Sequence, residues 1–287
     1  MPGAAAAPRP FTVSGLRGES AGEGSPIVLC HGLTATRRSV VHGSRVLERA
    51  GHRLIVYDAR GHGESEPARP GEGYDYPVLV EDLERIVDSQ AGTDRVVVGG
   101  HSMGAHTAIA YALRNPERVA GLIAIGPTYT GASTAFDTHA MSNAAEADGD
   151  SLTYWDGLAA ALEGEGVDGF VAYIDAHQET DPAWRESVVR FTRERMLRHR
   201  HLDAIARALR EVPRSAPFGS LTDLQRIEAP ALVVASGDAA DPGHPYAVAA
   251  AYAERLPRAE LVSEAPGQSP LAWQGGRLSR AIAAFVD

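Results

Sequence analysis

The sequence predicts an α/β architecture: a mostly parallel central sheet, flanked by helices, with a helical segment inserted late in the chain. Three observations point there. Short Val/Ile/Leu runs recur without polar alternation, as in strands covered on both faces. Helical-period stripes lie between them, and that alternation builds a parallel sheet with helices on both sides. Residues 130–217 carry helical stripes but no strand pattern.

The elements follow in chain order. Met1 to Pro10 is rich in Ala and Pro, without the charged start and apolar stretch of a signal peptide, and reads as a loose tail. Pro26–Cys30 (P-I-V-L-C) and Arg53–Tyr57 (R-L-I-V-Y) read as buried strands. Leu79, Leu83, Ile86 and Val87 share a helix face, with Pro77 in the first turn. A third strand covers residues 95–99 (R-V-V-V-G). Ala105, Ala108, Ile109, Ala112 and Leu113 mark a helix that Pro116 stops. Residues 121–125 form a fourth strand.

The inserted segment shows four stripes: Trp155/Leu158/Leu162, Val167/Phe170/Val171/Ile174, Trp184/Val188/Phe191 and Leu202/Ile205/Leu209. Strands at residues 231–235 and Ala259–Val262 follow. Two more helices carry Val248/Tyr252/Leu256 and Leu278/Ile282/Phe285/Val286. The expected division is therefore a core formed by residues 1–129 and 218–287, with residues 130–217 inserted.

Composition narrows the function. The 287 residues hold 27 Lys plus Arg against 37 Asp plus Glu, a formal charge of −10. That balance argues against a nucleic-acid partner, which needs a basic face. The basic stretch at residues 193–201 reads as a solvated helix face, with His199 and His201 as surface residues. They lack a carboxylate cluster at ligand spacing, so no metal is expected, and no cofactor either. Cys30 is the single cysteine, which rules out an intrachain disulfide. It ends an apolar run and reads as core. No run of about 18 apolar residues occurs, so no membrane partner is expected. A reducing, cytoplasmic setting is the matching expectation.

The chemistry concentrates at Gly100-His101-Ser102-Met103-Gly104, a Gly-X-Ser-X-Gly pattern between the strand R-V-V-V-G and an Ala-rich helix. Glycines flank a turn too sharp for larger neighbours. Ser102 then projects from the sheet edge, and the helix N-terminus favours developing negative charge.

With L-C-H-G-L, Y-D-A-R-G-H-G-E-S, G-G-H-S-M-G-A and the D-P-G-H-P loop in this order, the chain resembles the α/β-hydrolase superfamily from about Phe11 to Val286. The resemblance implies Ser102 as nucleophile and the amides of Leu33 and Met103 as the oxyanion hole. It implies the acid in the loop after A-L-V-V-A, where Asp241 is favoured and Asp238 is the alternative. His31 is read as ordering its loop; His31, His101 and Gln268 are candidates to line the substrate site. His62 and Arg60 are read as structural.

The sequence departs from the pattern at the base. Relatives carry a His after the last strand; here that place is held by Gln268, which cannot shuttle a proton near neutral pH. His244, three residues past Asp241, is the candidate base, with a structural hydrogen bond as its other reading. The expected function is hydrolysis of a small carboxylic ester through an acyl-Ser102 intermediate. Two alternatives stay open: a catalytically impaired protein that binds a small apolar ligand, and a lyase or C–C hydrolase of the same fold. The inserted segment would roof the site, with Trp155, Phe170, Tyr173, Trp184, Phe191 and Met196 divided between core and pocket. Substrate identity and oligomeric state are not readable from the sequence.

Overall fold

The computed structural model describes residues 7–131, 152–237 and 241–287. The elements in order are β1 (Arg9–Val13), β2 (Leu16–Ala21), β3 (Pro26–Cys30), α1 (Val46–Arg49), β4 (Arg53–Tyr57), α2 (Tyr76–Ala91), β5 (Val96–His101), α3 (Met103–Arg114) and β6 (Val119–Ile125). They continue with α4 (Leu152–His177), α5 (Pro182–Met196), α6 (Leu202–Glu211), β7 (Ala231–Val234), α7 (Tyr246–Arg255), β8 (Ala259–Val262) and α8 (Gly275–Val286).

These strands form one sheet in the order β1-β2-β4-β3-β5-β6-β7-β8. From β4 to β8 every pairing is parallel, while β1 and β2 add an antiparallel edge. The pleat explains the unbroken apolar runs. In β3, Val28 and Cys30 join the core against α2, α3 and α7, whereas Ile27 and Leu29 join the opposite core against α1 and α8.

The β1–β2 hairpin is an addition to the expected elements. Its residues are mostly polar or half-exposed, so they lack the apolar run that marks a central strand. Ser14 (φ 49) and Gly15 (φ 86) make its tight turn. Arg9 and Pro10, expected in a loose tail, pair with Ser20 and Glu19 in this hairpin. The first two inserted stripes lie on α4, which breaks at Gly166 (φ 62, ψ −145). The stripes of Trp184 and Leu202 lie on α5 and α6. Together α4, α5 and α6 enclose their own apolar cluster, where Phe170 and Met196 are buried, with Trp155 and Tyr173 half-buried beside it. Among the described residues no helix is long and apolar enough to cross a membrane.

Between β5 and α3 the chain turns at Ser102, with φ 50 and ψ −116. The Ser102 amide donates to Ile125 O at 2.9 Å, and its carbonyl accepts from His106 N at 3.0 Å. The flanking glycines are dictated by contact with β3. A Cβ on Gly100 or on Gly104 would sit 2.3 Å from Cys30 O. Those are backbone contacts, which a rotamer change cannot relieve.

Gly104→Ala is therefore expected to cost about 3 kcal/mol or more. Gly164→Ala, at an α4 position whose added Cβ meets nothing within 4 Å, is expected to gain up to about 1 kcal/mol. Urea unfolding measures both.

Candidate active site

His31, Asp58, Ser102, Gly126 and Asp241 all follow the C-terminal ends of parallel strands, the edge where open α/β sheets bind ligands. Ser102 holds a positive φ that a serine rarely adopts, at a cost of order 1–3 kcal/mol. Its position at the start of α3 aims free helix N–H groups at the same spot.

The loop after β3 lies directly on this turn. A Cβ on Gly32 would be 3.0 Å from His101 Nδ1 and 3.5 Å from Ser102 Cβ. His31 fixes the loop: its Nε2 accepts from Ala59 N at 2.9 Å, so the proton sits on Nδ1, which donates to Gly32 O at 2.8 Å. Both ring nitrogens are thereby occupied, so His31 organises the loop and is not free to bind substrate. The Ala35 amide donates to Gly32 O at 3.0 Å, and Thr34 takes φ 66. Leu33 caps the turn, its side chain packed against the inserted helices. The Met103 amide opens α3, and the Met103 side chain is buried against Ala204 and Ala208 of α6.

The loop between β7 and α7 supplies acid and base together. His244 Nδ1 donates to Asp241 Oδ1 at 2.8 Å, and the His244 amide donates to Asp241 O at 3.1 Å. Asp241 is buried, which alone would raise its carboxyl. The charge and hydrogen bond of His244, then the charges of His101 and Arg195, hold it below the ordinary value. The His244 ring packs on His101, the residue before Ser102, with centroids 4.6 Å apart. Gly126 makes room for both, since a Cβ there would lie 3.2 Å from His244 Cδ2 and 3.3 Å from His101 Nε2. Burial, then the charge of His244, pulls His101 down to about 3. It is a neutral wall of the site. Among the described residues no hydrogen bond joins Ser102 Oγ to His244.

His101, Asp241 and His244 present ligand atoms within 4.8 Å of one another.

Gln268 is not brought into this cluster. It is exposed on the loop after β8, and its Oε1 accepts from Arg277 Nη1. That loop is tied down instead by Glu264, which accepts from the amides of Gly237 and Leu271. Asp238 lies outside the described residues.

Two expectations about the basic stretch change. His199 is buried, not on the surface: its Nδ1 accepts from Gly63 N and its Nε2 donates to Thr34 O, both at 2.9 Å. It stacks edge-on against His62, which in turn neighbours His31. This histidine therefore joins the segment after α5 to the loop that carries Leu33. Arg195, expected on a solvated face, has its Nε buried without a partner. Its place in a basic run hid this; the signal was that Arg195 continues the Val188/Phe191 stripe at helical spacing, and all three line one cavity.

A cavity of about 650 Å³ opens beside His101, lined also by Val40, Ile125, Phe191, Arg195 and Trp273. Its lining stops short of Ser102 and His244. Of the six insert residues proposed for a pocket, Phe191 lines it.

His106 pins α3 to the end of β6: its Nδ1 donates to Tyr76 Oη at 3.0 Å, and its Nε2 accepts from Thr128 N at 3.0 Å and Tyr129 N at 3.2 Å. Burial pulls His106 down to about 3 and His199 to about 4, from an ordinary 6.5. With folded values below the unfolded one, the unfolded chain takes up protons first as pH falls. Stability is then whole above about pH 6.5 and is lost towards pH 4, as His199 protonates, and further towards pH 3. Urea midpoints measured between pH 7 and pH 4 check this, and His199→Gln should flatten the slope.

Comparison with known proteins gives four matches. The family model described as alpha/beta hydrolase fold matches residues 25–275. A Pseudomonas putida 2-hydroxy-6-oxononadienedioate/2-hydroxy-6-oxononatrienedioate hydrolase is 30% identical over 221 residues, covering 74% of this chain and 71% of that one. Epoxide hydrolase B of Mycobacterium tuberculosis is 34% identical over 109 residues, which span 30% of its own length and 38% of this chain. Among solved structures, a thermophilic esterase from Thermogutta terrifontis superposes with a TM-score of 0.72 over 98% of both chains, at 22% identity. That level of likeness speaks for the fold.

Proposed function

The chain belongs to the α/β-hydrolase fold family, and on that premise we propose that it hydrolyses a carboxylic ester through an acyl-Ser102 intermediate. The observation that carries the reading is the Asp241–His244 hydrogen bond, packed through His101 against the Ser102 turn. His244 acts as general base, displaced from the loop after β8 to the loop after β7. Asp241 holds its Nδ1 proton and so presents Nε2 as the acceptor.

The steps follow from these roles. His244 Nε2 takes the Ser102 Oγ proton as the oxygen attacks the ester carbonyl. The Leu33 and Met103 amides receive the oxyanion, an arrangement worth several kcal/mol in such sites. The tetrahedral intermediate collapses, and His244 returns the proton to the departing alcohol. Water, activated by the same His244, then releases the acid and restores Ser102. Contact between Ser102 Oγ and His244 Nε2 is made when substrate is bound, since catalytic hydrogen bonds often tighten only then. The inserted helices α4, α5 and α6 serve as a cap that excludes water from this reaction.

C–C bond hydrolysis is the second reading, supported by the Pseudomonas relative, whose match spans most of this chain. It uses the same three residues, and the rate on esters against the rate on β-diketones separates the two.

Ser102 is expected to take a fluorophosphonate label, mapped by mass spectrometry. His244→Gln and Ser102→Ala are each expected to lower ester turnover by about a thousandfold or more. Gln268→His, which restores a histidine at the position usual in relatives, is expected to bring no gain. Full turnover in His244→Gln, or a large gain in Gln268→His, would remove His244 as the base.

A further inference from the structure

The cavity beside His101 has an unusual charge arrangement. Most charged groups on its wall are already paired. Arg37 is held by Asp58, Glu19 and Glu64; Arg38 leans on Glu19; Arg45 pairs with Glu48. Arg195 is different. It makes no ion pair and no hydrogen bond among the described residues, although its Nε is buried. Two other arginines of α5 find acids, Arg185 with Asp175 and Arg193 with Asp168, and Arg190 lies over the Phe191 ring. The carboxylate that acts on Arg195 electrostatically is Asp241, whose Oδ1 is committed to His244. Two more buried polar atoms near Arg195, His101 Nε2 and Tyr154 Oη, also lack partners.

A buried donor left unmade costs about 1–3 kcal/mol, and more when it is charged. Native chains keep few such groups, and those that stay have a use. A guanidinium offers a planar fork of donors that matches a carboxylate with two parallel hydrogen bonds. Val40, Ile125, Phe191 and Trp273 give the wall an apolar stretch that suits a short hydrocarbon chain, while the exposed Glu194 and Arg198 also line the cavity.

We propose that the substrate carries a free carboxylate, and that Arg195 binds it in the cavity beside His101. The substrate class is then a monoester of a short dicarboxylic acid, or an ester of comparable shape with an acid at the far end. The apolar wall takes the linking methylenes, and the ester reaches Ser102. The assignment rests on the ester reading above for the reacting end. Arg195 is a binding residue, which sets specificity and orients the chain.

The test is a binding measurement that needs no turnover. The full-length Ser102→Ala protein is titrated calorimetrically with monomethyl succinate, glutarate and adipate, and with their dimethyl esters. At least one half-ester is expected to bind about tenfold or more tighter than its neutral diester. In Arg195→Gln and Arg195→Met the preference is expected to vanish, and in Arg195→Lys to survive in part. Melting temperatures of Arg195→Gln and Arg195→Met are expected to hold or rise, because each removes an unpaired buried charge. Equal binding of half-ester and diester across the series would overturn the proposal. So would a preference that persists in Arg195→Gln. Should the variants fail to fold, the comparison within the Ser102→Ala protein still decides. Binding without turnover in the wild-type chain would leave Arg195 assigned and remove the ester reading alone.

Discussion

The site depends on one close approach, that of the β5–α3 turn to the end of β3. Gly100 and Gly104 both press their α-carbons toward Cys30 O, with no room for a methyl group at either. This contact, with the Ser102 amide bonded to Ile125 O across the sheet, holds Ser102 in a backbone conformation it would otherwise leave. The same contact sets Gly32 beside Ser102 Cβ. Neutral strand packing on both faces of β3 and β5 supplies the rigidity that makes the strain bearable.

Histidines act here as neutral joints. His31, His106 and His199 each bridge two loops through both ring nitrogens, accepting from a backbone amide on one side and donating to an oxygen on the other. A buried imidazole suits this work because it offers one donor and one acceptor in a fixed plane. Charge on any of them would place two donors where one acceptor is required. His244 has the same pattern on one side only. Its Nδ1 is tied to Asp241, and the role proposed above falls to its Nε2.

The segment after β4 is rich in charged groups yet works as scaffold. Asp58 accepts from the Arg37 amide at 2.7 Å and from Glu64 N at 3.0 Å, and pairs with the Arg37 guanidinium. Arg60 grips Asp82 of α2 with two bonds of 2.7 and 2.8 Å. Breaking one partner of such a buried pair strands the other, which is costly. Paired ions of this kind contrast with Arg195, whose lack of a partner is what sets it apart.

The buried strands were legible to the residue at Pro26–Cys30 and Arg53–Tyr57, because a strand covered on both faces is apolar almost throughout. The bounds of the half-buried edge strand Ala259–Val262 were legible too, although Glu260 in it is exposed. So was the serine turn, since only glycine fits its flanks. Asp241 and His244 stand three residues apart in one loop, and the structure joins them by a hydrogen bond. The β1–β2 hairpin was hidden because an edge strand needs no apolar run. What the sequence could not decide was pairing between distant segments. Residue order does not say that His199 bonds Thr34, that His244 packs on His101, that Gln268 turns out to Arg277, or that Arg195 faces a cavity. Those outcomes depend on how whole elements dock, and docking is settled by the summed packing of the core, not by any local pattern.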